Sequence, residues 1–316
     1  GLDFGHYTNA SNQRIYQSQV KTRFKRYGPN LSETSISTIS SDLNLKMDYT
    51  FHLNRSNDMT RVYYKLKLRA LDSISFNRFD LFQLGGDIYN TLVAQSVVYG
   101  SEIGVSGMFA PTNSGSNDYT SGHQALNGNQ PWIWIDGECN YSPLGSNLNI
   151  DANAGVIIRS YSGVFNGITD NTPYLRERSS SIGFSSPTGL NPTSYCLVPP
   201  QGVTGFSPGD SIELLLEVCL IPKSANDYYG NDSLYAQTLS TYGNSWQPLF
   251  NEVVFNQPIA FSGSSSITQG YPIRIETINT EAMVQIEGGK NYVPIIFTHL
   301  DSIYDPSLWK RTNNCW

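Results

Sequence analysis

Between residues 43 and 53 the chain alternates with a period of two. Leu43, Leu45, Met47, Tyr49, Phe51 and Leu53 fall on one parity, and Asn44, Lys46, Asp48, Thr50 and His52 on the other. Successive side chains of a strand point to opposite faces, so the segment predicts a strand with one buried side and one solvated side. A second alternation follows, with Val62, Tyr64, Leu66, Leu68 and Ala70 set against Tyr63, Lys65, Lys67 and Arg69. Together the two runs predict a long antiparallel hairpin with one wet face.

Similar runs predict strands over 76–84, 130–136, 155–163, 271–279, 282–288 and 292–300. The run SIELLLEVCLI (211–221) is largely apolar on both parities. It predicts a central strand covered on both sides. One helix is predicted over 232–243, capped by Asn231 or Asp232 and ended by Gly243. The basic run VKTRFKR (20–26) reads as an edge strand protected by charge. LRERSSS (175–181) reads as a solvated charge run. Strands of ten or eleven residues are about twice the usual length and demand large sheets. The expected fold class is therefore all-β, a large antiparallel β-sandwich of supersandwich type with one or two short helices. No Pro/Ser-rich linker divides the chain. Residues 1–316 are read as one domain, with 1–42 as an N-terminal edge or arm and 301–316 as a C-terminal tail.

Composition narrows the chemistry. Only 15% of residues are charged, against roughly 25% in ordinary soluble proteins. The polar balance comes from Ser, Thr, Asn and Gly, with 20 Tyr added. Such surfaces suit neutral hydroxylated ligands. A net charge of −6 argues against nucleic acid as a partner, because neutralising phosphates takes a basic excess. No stretch approaches the roughly 18 apolar residues of a membrane span. Cys139, Cys196, Cys219 and Cys315 are scattered, without zinc or redox spacing. Their number permits two disulfides, and Cys219, in an apolar run, also reads as a buried thiol. No phosphate loop, H-E-x-x-H, G-x-S-x-G or EF-hand spacing occurs, so neither a cofactor nor a metal is expected.

Candidate chemistry centres on QPWIWIDGECNYS (130–142). As a strand it places Trp132, Trp134, Asp136 and Glu138 on one face, with Ile133 and Ile135 on the other. Two indoles beside two carboxylates form either a sugar platform with acids at its edge or a stretch of core. Both readings stand at this point. The long polar loop before the strand brings His123, a proton shuttle near neutral pH, and Gln124. FQLGGDIYN (82–90) closes a strand with paired glycines and continues through Asp87, Tyr89 and Asn90, either as a bulge and turn or as a ligand approach. Arg159, within a strand, is either an ion-pair partner or a substrate clamp.

The successions RYGPNLSETSIS, DMTRVYYKLKLRAL and FNRFDLFQLGGDIYN carry a resemblance, as do WIWIDGE, GVIIRSYSG, PGDSIELLLEVCLIPKSANDYYG and GGKNYVPIIFTHL. Over most of residues 26–300 the chain resembles the β-rich part of large bacterial carbohydrate-active proteins. The architecture this implies is similar to the supersandwich of galactose-mutarotase-like and polysaccharide-lyase domains. The resemblance implies a protein that acts on or binds a polysaccharide or oligosaccharide outside the cell, at its surface or in the periplasm. In a lyase, His123 or Tyr89 would remove the C5 proton and Arg159 would neutralise the uronate. Trp132, Trp134, Asp136, Glu138, Asp87, Asn90 and Gln124 would contact the sugar. Glycoside hydrolysis is the other enzymatic reading. A non-catalytic glycan-binding module, or a self-assembling surface protein forming homo-oligomers, is the rival class.

Overall fold

A computed structural model of the chain describes residues 2–28, 31–54, 59–85, 92–109, 123–139, 152–179, 193–222, 224–242, 246–251, 259–263, 266–270, 273–276, 284–288 and 295–298. It opens with β1 (Leu2–Asn9), β2 (Arg14–Ile15), β3 (Gln17–Tyr27) and β4 (Leu31–Ser40). The two alternating runs then form β5 (Leu45–Asn54) and β6 (Thr60–Ala70), paired antiparallel from Leu45 opposite Ala70 to Leu53 opposite Val62. Next come β7 (Ile74–Gly85), β8 (Leu92–Ser101), β9 (Gly104–Phe109), β10 (Gln124–Ala125) and β11 (Trp132–Cys139). They are followed by β12 (Ala152–Phe165), β13 (Ile168–Asp170), β14 (Tyr174–Ser179), β15 (Thr193–Val198), β16 (Gly205–Phe206) and β17 (Ser211–Pro222). A 3-10 turn (Ala225–Asp227) leads to α1 (Ser233–Tyr242) and α2 (Trp246–Leu249). Asp232 caps α1, its carboxylate accepting from the amides of Leu234 and Tyr235 at 3.0 and 3.1 Å.

Among the described residues, the strands of this region form two sheets. One has seven strands, in the order β10-β14-β15-β7-β1-β2 with β16 added on β7. The other has ten, in the order β3-β4-β5-β6-β17-β12-β11-β8-β9 with β13 added on β12. Leu45, Met47, Leu66, Leu68, Ile133, Ile135, Leu214 and Leu216 of the larger sheet meet Tyr7, Phe79, Phe82, Leu175, Tyr195 and Leu197 of the smaller one in a single apolar cluster. Each such side chain contributes about 1.5–3 kcal/mol through burial. The fold is the expected all-β sandwich, and β17 is the expected central strand, flanked by β6 and β12.

The ten-stranded sheet also buries part of its outer face. Val98, Trp132, Trp134, Ile157, Cys219 and Ile221 pack there against Tyr235, Leu239, Leu249 and Phe250 from the helical segment. Gly155 makes room for this layer, since a Cβ at that position would lie 3.0 Å from Phe250 Cζ. Cys196 and Cys219 are fully buried thiols.

Basic β3 is an edge strand, as its charge predicts, and two register shifts break its pairing with β4, between Ser18 and Lys21 and between Phe24 and Arg26. Two expectations are corrected. Residues 174–179 form strand β14 rather than a solvated run, with Leu175 and Glu177 buried. Glu177 accepts a hydrogen bond from the Tyr195 hydroxyl at 3.3 Å. Pairing with both β10 and β15 holds the segment in the sheet despite its charges. His52, expected in water, is 1% exposed and lies with Nδ1 3.2 Å from the buried Glu33 carboxylate.

The chain divides into two compact units, 1–255 and 256–316. In the second, β18 (Ile259–Gly263) pairs with β21 (Val284–Gly288). There β20 (Ile273–Glu276) joins β19 (Ser266–Gly270) on one side and β22 (Ile295–Thr298) on the other. β20 and β22 run parallel, a departure from all-antiparallel pairing, and the crossover such pairing requires passes through β21.

Candidate functional site

Strand β11 delivers both tryptophans to the outer face of the ten-stranded sheet. Trp132 and Trp134 are 0% and 1% exposed. Trp132 stacks on Phe250 with ring centroids 5.0 Å apart, and its Nε1–H donates to the Ser101 carbonyl at 2.8 Å. Trp134 meets the same phenyl ring edge-on at 5.1 Å. A buried indole needs a partner for its N–H, and Ser101 supplies one. Of the two readings open from the sequence, this arrangement is core packing under the helical layer. Asp136 lies opposite Asn153 and Ser96 on the β11 ladders, and Glu138 opposite Val93. The side chains of Asp136 and Glu138 fall outside the described residues, as do Asp87, Tyr89 and Asn90 entirely.

Arg159 sits where the covered part of that face ends. Its Nε donates to Glu217 Oε2 at 2.7 Å, its Nη2 donates to the same oxygen, and its Nη1 donates to Gln130. Arg61 Nη1 donates to Glu217 Oε1 at 2.8 Å, and Cys219 Sγ lies 3.6 Å from that oxygen. Glu217 and Arg61 are 0% and 2% exposed. Burial alone would push the Glu217 carboxyl up. Arg159 and Arg61, with a hydrogen bond from Tyr63, outweigh burial and hold it at about 2. The same burial, with the Glu217 charge beside it, raises the Cys219 thiol well above its usual range. Arg159 is thus committed to an ion cluster, which is the first of the two roles its sequence position allowed.

The third location lies on the seven-stranded sheet. His123, immediately before β10, lines a cavity of about 200 Å³ together with Arg176 of β14, Asn77 of β7 and Thr204. Phe76, Phe79, Val198, Pro199 and Val203 supply its apolar wall. β14 positions the two cationic-capable groups: Leu175 anchors it in the core, and Tyr174 lies edge-on to the His123 ring at 6.4 Å. The Tyr174 hydroxyl donates to Asp170 Oδ2 at 3.1 Å. Partial desolvation, then this hydrogen bond and the Asp170 charge, raise the phenol above its usual range. Asn77 is held by donating to the Ala10 carbonyl and to Asn12 Oδ1, each at 2.9 Å.

The structure therefore parts residues that the sequence set together. His123 belongs to the seven-stranded sheet, whereas Trp134 lies on the outer face of the other sheet. Gln124 stays next to His123, paired opposite Leu175, with its side chain donating to the Ala125 carbonyl at 3.0 Å. Arg176 was missed because it stands in a run that reads as solvated. The available signal was Leu175, an apolar residue at the start of that run. Among the described residues, no group of three or more His, Cys, Asp or Glu is arranged to hold a metal ion. No described helix is long and apolar enough to cross a membrane.

No family model matches the sequence, and no curated protein matches it. Solved structures do. The α-galactosidase AgaB from Geobacillus stearothermophilus aligns at TM-score 0.39 and 7% identity, over 71% of this chain and 30% of that one. The galactosidase domain of AgaSK, an α-galactosidase–sucrose kinase, aligns at 0.38 and 8%, over 69% of this chain and 30% of that one. A galactose-mutarotase-related enzyme from Lactobacillus acidophilus aligns at 0.19 and 7%, over 68% of this chain and 77% of that one. The chain spans about a third of the length of the α-galactosidases it matches.

Proposed function

We propose that the protein is a carbohydrate-active β-sandwich that holds a saccharide unit in the cavity of His123 and Arg176. The observation that carries this reading is convergence. His123, Arg176, Asn77 and Thr204 line one space of about 200 Å³ beside apolar residues. Recognition pockets combine apolar walls with a few convergent polar groups. This one is smaller than the roughly 300 Å³ at which drug-sized pockets begin, which suits a single sugar ring better than a chain segment. Arg176 would take a hydroxyl or a uronate carboxylate, and His123 is the group able to move a proton near neutral pH. The low charge and abundant Ser, Thr, Asn and Tyr support the same ligand class.

Calorimetric titration with neutral hexoses and free uronates tests this reading. Arg176→Gln is expected to weaken the bound sugar by tenfold or more without lowering the melting temperature. Reducing-sugar release and 235-nm absorbance, followed on wild type and His123→Ala, separate hydrolysis, elimination and simple binding. A protein that binds no saccharide, across a glycan array and these titrations, overturns the proposal.

A further inference from the structure

The acidic chain concentrates its cations on one sheet face. Ladder register fixes this: Lys21 lies opposite Ser37, Ser37 opposite Asp48, Asp48 opposite Lys67, and Lys67 opposite Glu213. One row along, Arg23, Ser35, Thr50 and Lys65 are neighbours in the same way, and Lys46 lies opposite Arg69. Directly paired residues share a face, and the intervening residues Leu45, Met47, Leu66 and Leu68 are in the core. Lys21, Arg23, Lys46, Lys65, Lys67 and Arg69 therefore all point outward from β3, β5 and β6. Lys67 and Lys46 remain 51% and 44% exposed while pairing with Glu213 at 2.6 Å and Asp48 at 3.3 Å. Lys25 and Arg26 extend the face at its edge, 3.7 and 4.0 Å from buried Glu33. Glu33, Asp48 and Glu213 leave a clear positive excess here, in a chain whose net charge is −6.

Resting on the carbohydrate reading above, we propose that this face docks a polyuronate chain. Charge complementarity selects a polyanion, and its spacing selects the kind. Along β6 the cations at 65, 67 and 69 recur about every 6.7 Å, set by the two-residue strand repeat. Between the cations of β3 and those of β6 lie the hydroxyls of Ser35 and Ser37 on β4 and of Thr50 on β5, with Ser35 and Thr50 3.2 Å apart. Cations separated by hydroxyl donors match a polymer bearing one carboxylate per sugar, with neutral hydroxyls between charges. Single-stranded nucleic acid is held by stacking platforms as well as cations. On β4 to β6 this face exposes no aromatic ring among the described residues, since Tyr63, which lies on it, is fully buried; at its margin Tyr16, just before β3, is 62% exposed.

The test uses the full chain and three probes, polygalacturonate, neutral dextran and poly(dT), by affinity electrophoresis at low salt. Wild type is expected to bind polygalacturonate well above dextran and poly(dT), and to weaken severalfold near 0.15 M salt, where the Debye length is about 8 Å. The triple variant Lys21→Glu/Arg23→Glu/Arg69→Glu should bind at least tenfold more weakly at an unchanged melting temperature. If charge reversal lowers the melt, the Gln triple at the same positions replaces it, with the same expected loss. Polygalacturonate binding that survives in the triple variant, that is absent from wild type, or that poly(dT) equals, overturns the docking face. Arg176→Gln keeps the two proposals apart, because it should abolish small-sugar titration and leave polygalacturonate retention intact. Small-sugar binding without polyuronate binding sinks only the docking face.

Discussion

The outer face of the ten-stranded sheet has two halves of opposite character over one continuous inner face. At the ends of β8, β11, β12 and β17 that lie under the helices it is dry, with Trp132, Trp134, Ile157 and Ile221 sealed under Phe250, Tyr235 and Leu239. Over the rows of β3 to β6 that carry Lys21, Arg23, Lys46, Lys67 and Arg69 it is wet and cationic. Inside, both halves contribute Leu, Ile, Val and Tyr to the same core. The inner face of a sheet is imposed by the partner sheet, while its outer face depends on whether later chain returns over it. Arg61, Glu217 and Arg159 stand at the border. There a buried carboxylate with two guanidinium partners bridges from apolar contact to open water.

The sharpest way to break this comparison is a large-to-small change on the dry half. Trp134→Ala should cost about 3–5 kcal/mol in urea unfolding, through lost contacts with Phe250 and a residual cavity. A loss near zero would mean the indole is not packed. At the border, Glu217→Ala should cost a similar 3–5 kcal/mol or so, because it strands two guanidinium groups away from water. Leu216→Ala, on the inner face, should cost about 2–5 kcal/mol, whichever half it is compared with.

A pH series sharpens the border. The Glu217 carboxyl is held at about 2, below its ordinary 4.5. A depressed carboxyl contributes stability that is complete above the unfolded value and is lost as pH falls through the folded one. The wild-type urea midpoint should therefore fall from about pH 4.5 toward pH 2. Glu217→Gln should start lower and lose this part of the acid slope. On the wet half, Lys67→Ala should change stability by about 1 kcal/mol or less despite its 2.6 Å contact with Glu213, because both side chains are about half exposed.

Strand existence was legible wherever one face is aliphatic, as at 43–53, 62–70 and 211–221. At 43–53 and 62–70 the pattern of period two is imposed by the core itself, and at 211–221 the run is apolar on both parities. β4 was not, because its sequence LSETSISTIS fills most positions with Ser and Thr and gains its place from pairing with β3 and β5. β14 was obscured by its charges, of which Glu177 is buried and Arg176 lines the cavity. Site chemistry was less legible for a related reason. Period two tells which residues share a face and nothing about what covers that face. WIWIDGE thus reads equally as platform or core until Phe250, more than a hundred residues later, is seen above it. His52 shows the same gap, since its polar parity said nothing about burial beside Glu33.

The place of β17 has a consequence for biosynthesis. The strand joins β6, whose residues precede it by about 150 positions, to β12, so it is the seam between two earlier parts of the larger sheet. While the ribosome is still adding residues before 211, β3-β4-β5-β6 and β12-β11-β8-β9 have no strand to join them, and β6 and β12 each lack a partner at the break. Such open edges recruit other chains, and closing contacts across so long a loop is intrinsically slow. Stalling translation just before residue 211 should give an aggregating, protease-sensitive product, whereas stalling after release of residue 222 should give the protected sheet. A single late strand thereby sets the moment at which the larger sheet closes its central seam.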